Sequence, residues 1–178
     1  RLVGDFFDDS YRAAFDFTEE AGAHMVPPFD HKDIIEGQAT VGWEIAAQMP
    51  GGRTPDLIAL PVGGGGLAAG ITHCFEALGQ ETRFLFCEPE GAPSLKESLA
   101  AGKRVKLAKV DNFVDGAAVG EIGRENFRVL KHFPADEVKL IPENRLCATI
   151  IEMLNIEGVV LEPAGALAID ALKDLPRK

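Results

Sequence analysis

Apolar and polar positions follow two alternating patterns along the chain. Short apolar runs predict strands over residues 1–4, 24–27, 56–62, 83–89 and 138–141. Longer amphipathic stretches predict helices over 8–22, 31–49, 67–78, 92–102, 121–132 and 143–154, and the stretch 159–173 reads as a turn and a final helix. Strands and helices therefore alternate along nearly the whole chain.

Two of these helices carry further local signals. Asp8–Ser10 can cap the helix over 8–22 and Gly22 can end it, because glycine readily adopts the left-handed conformation found after helices. In the helix over 31–49, one face is expected to carry Ile34, Gln38, Val41 and Ile45.

This alternation is typical of an α/β fold, with a mostly parallel sheet covered by helices on both faces. The 178 residues, 46% of them hydrophobic, are enough for one core, so we expect a single α/β unit over residues 1–178. No apolar run approaches the roughly 20 residues of a membrane-spanning helix, and no signal peptide is recognisable. A soluble protein is expected, and one that is processed or a piece of a longer chain, since it does not begin with Met.

Charge and cysteine content narrow the possible partners. The formal net charge is −10, and the basic residues are scattered among acidic ones, so nucleic acid is not an expected partner. Three cysteines without framework spacing predict reduced thiols and a cytoplasmic location. The four histidines show no metal-ligand spacing.

Four consecutive glycines, Gly63–Gly66, lie between a predicted strand and a predicted helix. This order places backbone N–H groups and the positive end of a helix dipole at the carboxyl edge of the sheet. Without a Cβ, glycine lets amides converge on one oxyanion and lets a ligand lie against the backbone. The pattern predicts a phosphate site, with a tight turn or a flexible linker as the alternative.

A dinucleotide site is a second interpretation of the same loop. Gly64, Gly66 and Ala69 satisfy the spacing G-x-G-x-x-A, and Glu88 ends the next predicted strand, where a ribose-binding acid would lie. Pro61, immediately before the loop, is unusual for such a strand. The absence of a lysine after the glycines excludes a Walker-type loop.

Five segments in order carry a resemblance to a known family. These are "VPPFDHKDIIEGQATVGWEI", "PVGGGGLAAG", "EPEGAPSLKESLAAGK", "FVDGAAVGEIGRENF" and "EPAGALAIDALK". The chain resembles the threonine dehydratase (threonine ammonia-lyase) family, biosynthetic branch, of fold-type II pyridoxal phosphate enzymes. The resemblance implies the tryptophan synthase β-like large domain, with serine racemase or serine dehydratase as the nearest alternative activities.

The resemblance also implies a site and a reaction. Gly63–Gly66 and Leu67 would bind the phosphate of pyridoxal 5'-phosphate, Gly116 would lie beside its ring, and Glu162 would place a carboxylate near the ring. From the residues alone, Glu162 could equally complement the dipole of the last helix, and Gly116 could belong to an ordinary turn. The implied reaction of lyases in this family converts L-threonine to 2-oxobutanoate and ammonia for isoleucine biosynthesis, in a dimer or tetramer.

The catalytic lysine of the family is not recognisable in this sequence. The family carries its Schiff-base lysine in a motif of the type S-x-K-x-R-G-A, and only Ser94-Leu95-Lys96 is superficially similar. We therefore expect no catalytic residue within 1–178, and a fragment of the large domain without its lysine-bearing part and its C-terminal end. A binding module without catalysis is the alternative for this chain taken alone.

A cation site is implied only weakly. In serine racemase relatives, the segment equivalent to "CEPEGAPS" supplies an acid, a backbone carbonyl and a second acid. Glu88 and Ala92 match the first two, but Ser94 replaces the second acid. Loss of one hard anionic ligand disfavours Mg²⁺ or Ca²⁺, so no metal is expected.

Overall fold

The computed structural model describes residues 2–176. Its strands are β1 (Leu57–Pro61), β2 (Arg83–Pro89) and β3 (Val138–Ile141). Its longer helices are α1 (Phe7–Ala21), α2 (Lys32–Gln48), α3 (Gly66–Ala77), α4 (Ser94–Ala101), α5 (Arg124–Leu130), α6 (Glu143–Glu152) and α7 (Pro163–Leu172). Three 3₁₀ turns, Pro50–Gly52, Asp115–Ala117 and Ala135–Glu137, and a π-helical turn, Met153–Glu157, complete the order.

The three strands form one parallel sheet in the order β1-β2-β3. Leu57 pairs with Arg83 at the start of β1 and β2, and Phe86 pairs with Val138 where β2 meets β3. Parallel strands need a crossover connection, and α3 supplies it between β1 and β2. All three carboxyl ends therefore lie at the same edge of the sheet.

Both faces of the sheet are covered, as the alternation of side chains requires. Phe84 and Phe86 of β2 enter the larger core with α3, α4 and α5, whereas Cys87 enters the smaller core with α6 and α7. The predicted α/β class, with a parallel sheet between two helical layers, is confirmed.

Helices α2 and α3 approach each other closely through glycines. A Cβ on Gly70 would lie 2.7 Å from the backbone oxygen of Ile35 and the backbone nitrogen of Ala39, and a Cβ on Gly42 would lie 3.0 Å from Cβ of Cys74. Only glycine fits at position 70, because the backbone of α2 occupies the space of a side chain. This close approach packs α2 directly against α3, the helix that follows the glycine loop.

Helix α7 is held to α6 by a partly buried ion pair. Arg145 donates to the carboxylate of Asp170, which is fully buried, and Thr149 donates to its other oxygen at 2.6 Å. Hydrogen bonds from Arg145 and Lys139 lower the pKa of Asp174 to about 2. This network fixes the helix whose first turn borders the glycine loop.

The structure overturns several expectations of detail. Residues 2–4 form no strand, because Gly4 has φ +70°, and Arg1 lies outside the described residues. Residues 24–27 also form no strand, since the proline at 27 and the next one lack N–H donors for a ladder. On α2, Ile35 and Gly42 face the core while Val41 is 40% exposed, so the expected apolar face is rotated.

Other predicted elements agree closely with the structure. β2 and β3 have the predicted bounds, and Gly22 and Gly102 end α1 and α4 in the left-handed conformation. Within residues 2–176, no helix combines the length and the apolar character needed to cross a membrane.

Candidate functional site

The glycine loop, Gly63–Gly66, follows β1 directly at the carboxyl edge of the sheet. Val62 still donates to the backbone oxygen of Cys87 at 2.9 Å, and the first helical residue of α3 is Gly66 itself. The chain therefore passes from β1 to α3 through only four residues, 62–65. Gly65 has φ +90°, which an L-residue with a side chain rarely adopts.

A cavity of about 470 Å³ lies beside this loop. Its walls are the glycine loop with Leu67, the 3₁₀ turn Asp115–Ala117, the start of α7 with Glu162, and the segment Pro28–Phe29. The structure thus brings Gly63–Gly66, Leu67, Gly116 and Glu162 together. Their roles toward a ligand stay predictions.

Unpaired backbone amides at the start of α3 indicate a binding site for an anion. In the part of the chain that the structure describes, no backbone hydrogen bond is donated by the N–H groups of residues 63–68, and the first helical bond of the turn comes from Ala69 to Gly65 at 2.8 Å. Unpaired amides at a helix N-terminus attract negative charge through their partial positive charge and the helix dipole.

The glycines were expected to leave room for a ligand, and the structure shows that they also leave room for neighbouring protein atoms. A Cβ on Gly64 would overlap the ring of Phe29, and a Cβ on Gly65 would lie 2.6 Å from Cδ1 of Ile122. A Cβ on Gly63 would lie 2.9 Å from Cα of Ala117. The absence of side chains therefore lets protein atoms pack against the loop and fix its shape.

Gly116 and Glu162 face each other across the cavity wall. A Cβ on Gly116 would lie 3.0 Å from Cβ of Ala164 and 3.4 Å from Oε1 of Glu162. Glu162 precedes α7 but its side chain makes no capping hydrogen bond, so its carboxylate is available at the cavity. Asp115 accepts the N–H of Gly116 at 2.9 Å. The N–H of Ala117 donates to the backbone oxygen of Val114 at 2.9 Å, which closes the 3₁₀ turn.

The cavity walls carry acidic but no basic side chains among the described residues. Asp115 and Glu162 are the charged groups of the lining. A phosphate bound here would depend on backbone amides and on the dipole of α3 rather than on an ion pair.

Sequence reasoning did not assign Phe29, Ile34 and Gln38 to the site, although all three line the cavity. A signal was present: Ile34 and Gln38 are four residues apart, so they share one face of α2. Phe29 lies in the "PPFD" segment, and only the fold shows that its ring covers the glycine loop.

Glu88 and Ala92 are not part of this cavity. Glu88 is fully buried, and its carboxylate accepts the N–H groups of Leu95 at 2.6 Å and Lys96 at 2.9 Å at the start of α4. Burial raises the pKa of Glu88 to about 7, although these hydrogen bonds oppose the rise. The carbonyl of Ala92 accepts the N–H of Ser94.

These contacts count against the dinucleotide interpretation. A buried carboxylate whose oxygens already accept helix amides cannot hold a ribose, so the dinucleotide interpretation loses its acid. In the described residues no group of three or more His, Cys, Asp or Glu side chains could hold a metal ion. The Nζ of Lys96 donates to the carbonyl oxygens of Val138 and Ala135, at 2.9 and 3.4 Å, away from the cavity.

Three features are typical of α/β proteins that bind the phosphate of a cofactor. They are the parallel sheet, the turn from β1 through the glycines into α3, and the unpaired backbone amides beside the cavity. The chain belongs to the pyridoxal-phosphate dependent enzyme family, whose sequence model it matches over residues 1–178.

Particular relatives are threonine dehydratases. The chain is 42% identical over 171 residues to L-threonine dehydratase biosynthetic IlvA of Bacillus subtilis (strain 168). This alignment covers 96% of this chain and 40% of that protein. It is also 42% identical over 168 residues to threonine dehydratase biosynthetic, chloroplastic, of Arabidopsis thaliana, covering 94% of this chain and 28% of that protein. The chain thus spans less than half the length of these relatives.

Solved structures show the same fold. The processed form of threonine deaminase isoform 2 from Solanum lycopersicum superposes with a TM-score of 0.85 at 36% identity, over 96% of this chain and 48% of that one. Maize serine racemase superposes with a TM-score of 0.84 at 28% identity, over 95% of this chain and 52% of that one. The predicted family and fold-type II architecture are confirmed.

The family implies pyridoxal phosphate, and the residues of the cavity fit its phosphate. Residues 63–68 offer several backbone N–H groups without a protein acceptor in the described chain, at the positive end of α3. Phe29, Ala117 and Ile122 pack closely against the loop that carries them. Several backbone N–H groups without protein acceptors at a helix N-terminus are the kind of donor set that a phosphate monoester binds.

Proposed function

We propose that residues 1–178 form the cofactor-phosphate-binding part of a threonine dehydratase that converts L-threonine to 2-oxobutanoate and ammonia. The observation that carries this proposal is the set of unpaired amides over residues 63–68 at the edge of the cavity. The family match and the names of the relatives supply the reaction class.

In this proposal, the N–H groups of Gly63–Gly66 and Leu67 bind the phosphate, and the dipole of α3 compensates part of its charge. Gly116 would present backbone without a side chain to the flat ring, and a Cβ at this position would lie only 3.0 Å from Cβ of Ala164. Glu162 contributes a carboxylate at the same wall.

Pyridoxal phosphate supplies an electron sink that accepts the charge left when the α-proton of an amino acid is removed. Phe29 and Ile34 contribute apolar surface that excludes water from the cavity, while Gln38 offers a polar group on the same helix face. The proposal assigns no catalytic lysine to residues 1–178, in keeping with the contacts of Lys96 with backbone carbonyls.

Binding of pyridoxal phosphate to the purified chain tests the phosphate site. We expect reversible binding that is at least about tenfold tighter than binding of pyridoxal, which lacks the phosphate. Borohydride reduction followed by intact mass should give no adduct at a single lysine. Equal affinity for the two compounds, or a stable adduct at one specific lysine, would contradict the proposal.

A matched pair of glycine variants locates the binding. Gly64→Ala should weaken binding of pyridoxal phosphate by about tenfold or more, because the added methyl overlaps Phe29 and displaces the loop. Gly37→Ala adds the same methyl where no atom lies within 4 Å, and should bind normally. Circular dichroism separates loss of binding from loss of fold.

Substrate choice needs a protein that carries this chain together with the lysine-bearing part expected from the resemblance. Release of 2-oxobutanoate from threonine favours the dehydratase, whereas racemisation of serine would favour the serine racemase alternative. A cytoplasmic location is supported by the free thiols of Cys74, Cys87 and Cys147. The dimer or tetramer stays a prediction from the resemblance.

A further inference from the structure

Asn126 of α5 is buried against the glycine loop without lining the cavity. Its side chain is fully buried, and its Nδ2 donates to the backbone oxygen of Gly64 at 2.7 Å and to that of Phe29 at 3.2 Å. The N–H of Gly123 also donates to the oxygen of Gly64, at 3.1 Å. One carbonyl of the loop is therefore held by two donors from the same side.

The other end of this amide has no partner. In the described part of the chain, Oδ1 of Asn126 is buried without a hydrogen bond, which is costly for a polar atom. The amide cannot be reversed, because Oδ1 would then face the two carbonyl oxygens that Nδ2 now contacts. The donor end alone therefore accounts for the asparagine.

Holding the Gly64 carbonyl fixes the direction of the next amide. The peptide bond is planar and trans, so the N–H of Gly65 points opposite to the C=O of Gly64. The cavity is lined by Gly65 but, among the described residues, by none from α5. The Gly65 N–H accordingly points away from α5 and toward the cavity side of the loop.

The hydrogen bonds from Asn126 and Gly123 to the Gly64 carbonyl form a clamp on the glycine loop. The segments on both sides of this clamp are also tied together. The carboxylate of Asp30 accepts the N–H groups of Arg124 and Glu125, at 2.8 and 2.7 Å, which ties the segment carrying Phe29 to the first turn of α5. Gly123 leaves no room for a Cβ beside Oδ1 of Asp30. Asn126 is thus held in place between two anchored segments.

We propose that Asn126 is a positioning residue that orients the Gly64–Gly65 peptide and thereby sets the phosphate affinity of the glycine loop. The inference rests on the proposed function, because it assumes that the loop binds the phosphate of the cofactor. Asn126 acts through Gly65 and does not touch the ligand itself.

Asn126→Leu is the informative variant. Leucine has a similar branched shape, removes the donor and also removes the unpaired acceptor, so the cost in stability is partly offset. We expect the affinity for pyridoxal phosphate to fall about tenfold, with an unchanged affinity for pyridoxal. Arg128→Ala, on the exposed side of the same helix, should leave both affinities unchanged.

A ³¹P NMR titration of the bound cofactor gives a readout that a purely structural role would not move. Amide donors stabilise the dianion, so loss of a well-aligned Gly65 N–H should raise the pKa of the bound phosphate in Asn126→Leu. If that variant does not fold, Asn126→Ala is titrated instead, with the same expected direction.

The outcomes separate the two proposals. Phosphate-dependent binding in the unchanged chain, with equal affinity and phosphate pKa in Asn126→Leu, would overturn the role of Asn126 and leave the proposed function standing. Binding without phosphate dependence in the unchanged chain would overturn both.

Discussion

Helices α1 and α3 differ in what covers their apolar side chains. α3 has 12 residues, and seven of them are buried between the sheet, α2 and α5. α1 has 15 residues and none is buried, although it carries Phe15, which is 47% exposed, and Phe17, which is 55% exposed. Both helices were predicted from the same kind of apolar spacing.

The difference shows that periodicity predicts a helix but does not identify its partner. α1 has a pronounced apolar face, with a groove of about 480 Å³ lined by Val3, Ser10, Ala13, Ala14 and Phe17. This groove is as large as the cavity beside the glycine loop, yet its described lining includes no loop between a strand and a helix N-terminus. Size alone does not distinguish a binding site from an uncovered helix face.

Truncation of one phenylalanine in each helix tests this comparison with the largest expected effect. Phe75→Ala in α3 should lower the free energy of unfolding by about 3–5 kcal/mol, because Phe75 is fully buried and packs edge-on against Phe84. Phe17→Ala in α1 should change it by less than about 0.5 kcal/mol. Urea unfolding measures both, and similar losses would show that α1 is covered in solution.

The carboxylates that accept N–H groups at the starts of α4 and α1 give a second contrast, in how the free energy of unfolding depends on pH. Burial raises the pKa of Glu88, which caps α4, from its ordinary 4.5 to about 7. The folded chain then binds a proton more tightly than the unfolded chain, so this stabilisation is complete below pH 4.5 and is lost as pH rises through about 7. The free energy of unfolding should fall on the order of 3 kcal/mol across this window.

Unfolding of the unchanged chain and Glu88→Gln between about pH 4 and pH 8 measures this effect. The variant should lack this part of the pH dependence. Asp9→Asn, which removes the exposed carboxylate that accepts the N–H of Phe6 at the start of α1, should retain it. Parallel profiles for Glu88→Gln and the unchanged chain would contradict the assignment.

Glycine variants give the third and smallest contrast. Gly70→Ala in α3 should destabilise the fold by about 1–3 kcal/mol, since its methyl would meet the backbone of α2 at 2.7 Å. Gly37→Ala, in an open position on α2, should stabilise by about 0.5–1 kcal/mol. Thermal unfolding gives both signs, and equal shifts in one direction would refute the close packing of α2 and α3.

Local sequence signals were sufficient where the structure depends on local chemistry. The bounds of β2 and β3 follow from short apolar runs, and Gly102 ends α4 because it can adopt a positive φ. The strand predicted over 24–27 failed because prolines cannot donate to a ladder, which outweighed the apolar residues beside them.

The remaining features depend on contacts that are distant in sequence. The helix predicted over 121–132 is confined to α5 because Asp30 caps it at Arg124, and these residues are 94 positions apart. The glycines themselves indicated a phosphate site, but neither Phe29 nor Asn126 has a local pattern that links it to them. Only the assembled fold shows why the loop has its shape.

The clamp on the glycine loop also has a consequence for the order of synthesis. Gly64 precedes its partner Asn126 by 62 residues, so a ribosome adding about 5–20 residues per second makes the partner roughly 3–12 seconds after the loop. During that interval the nascent loop lacks both the Asn126 donor and the covering α5. Capture of pyridoxal phosphate would therefore be a late event in the life of the nascent chain, after the segment that reaches Asn126 has left the exit tunnel.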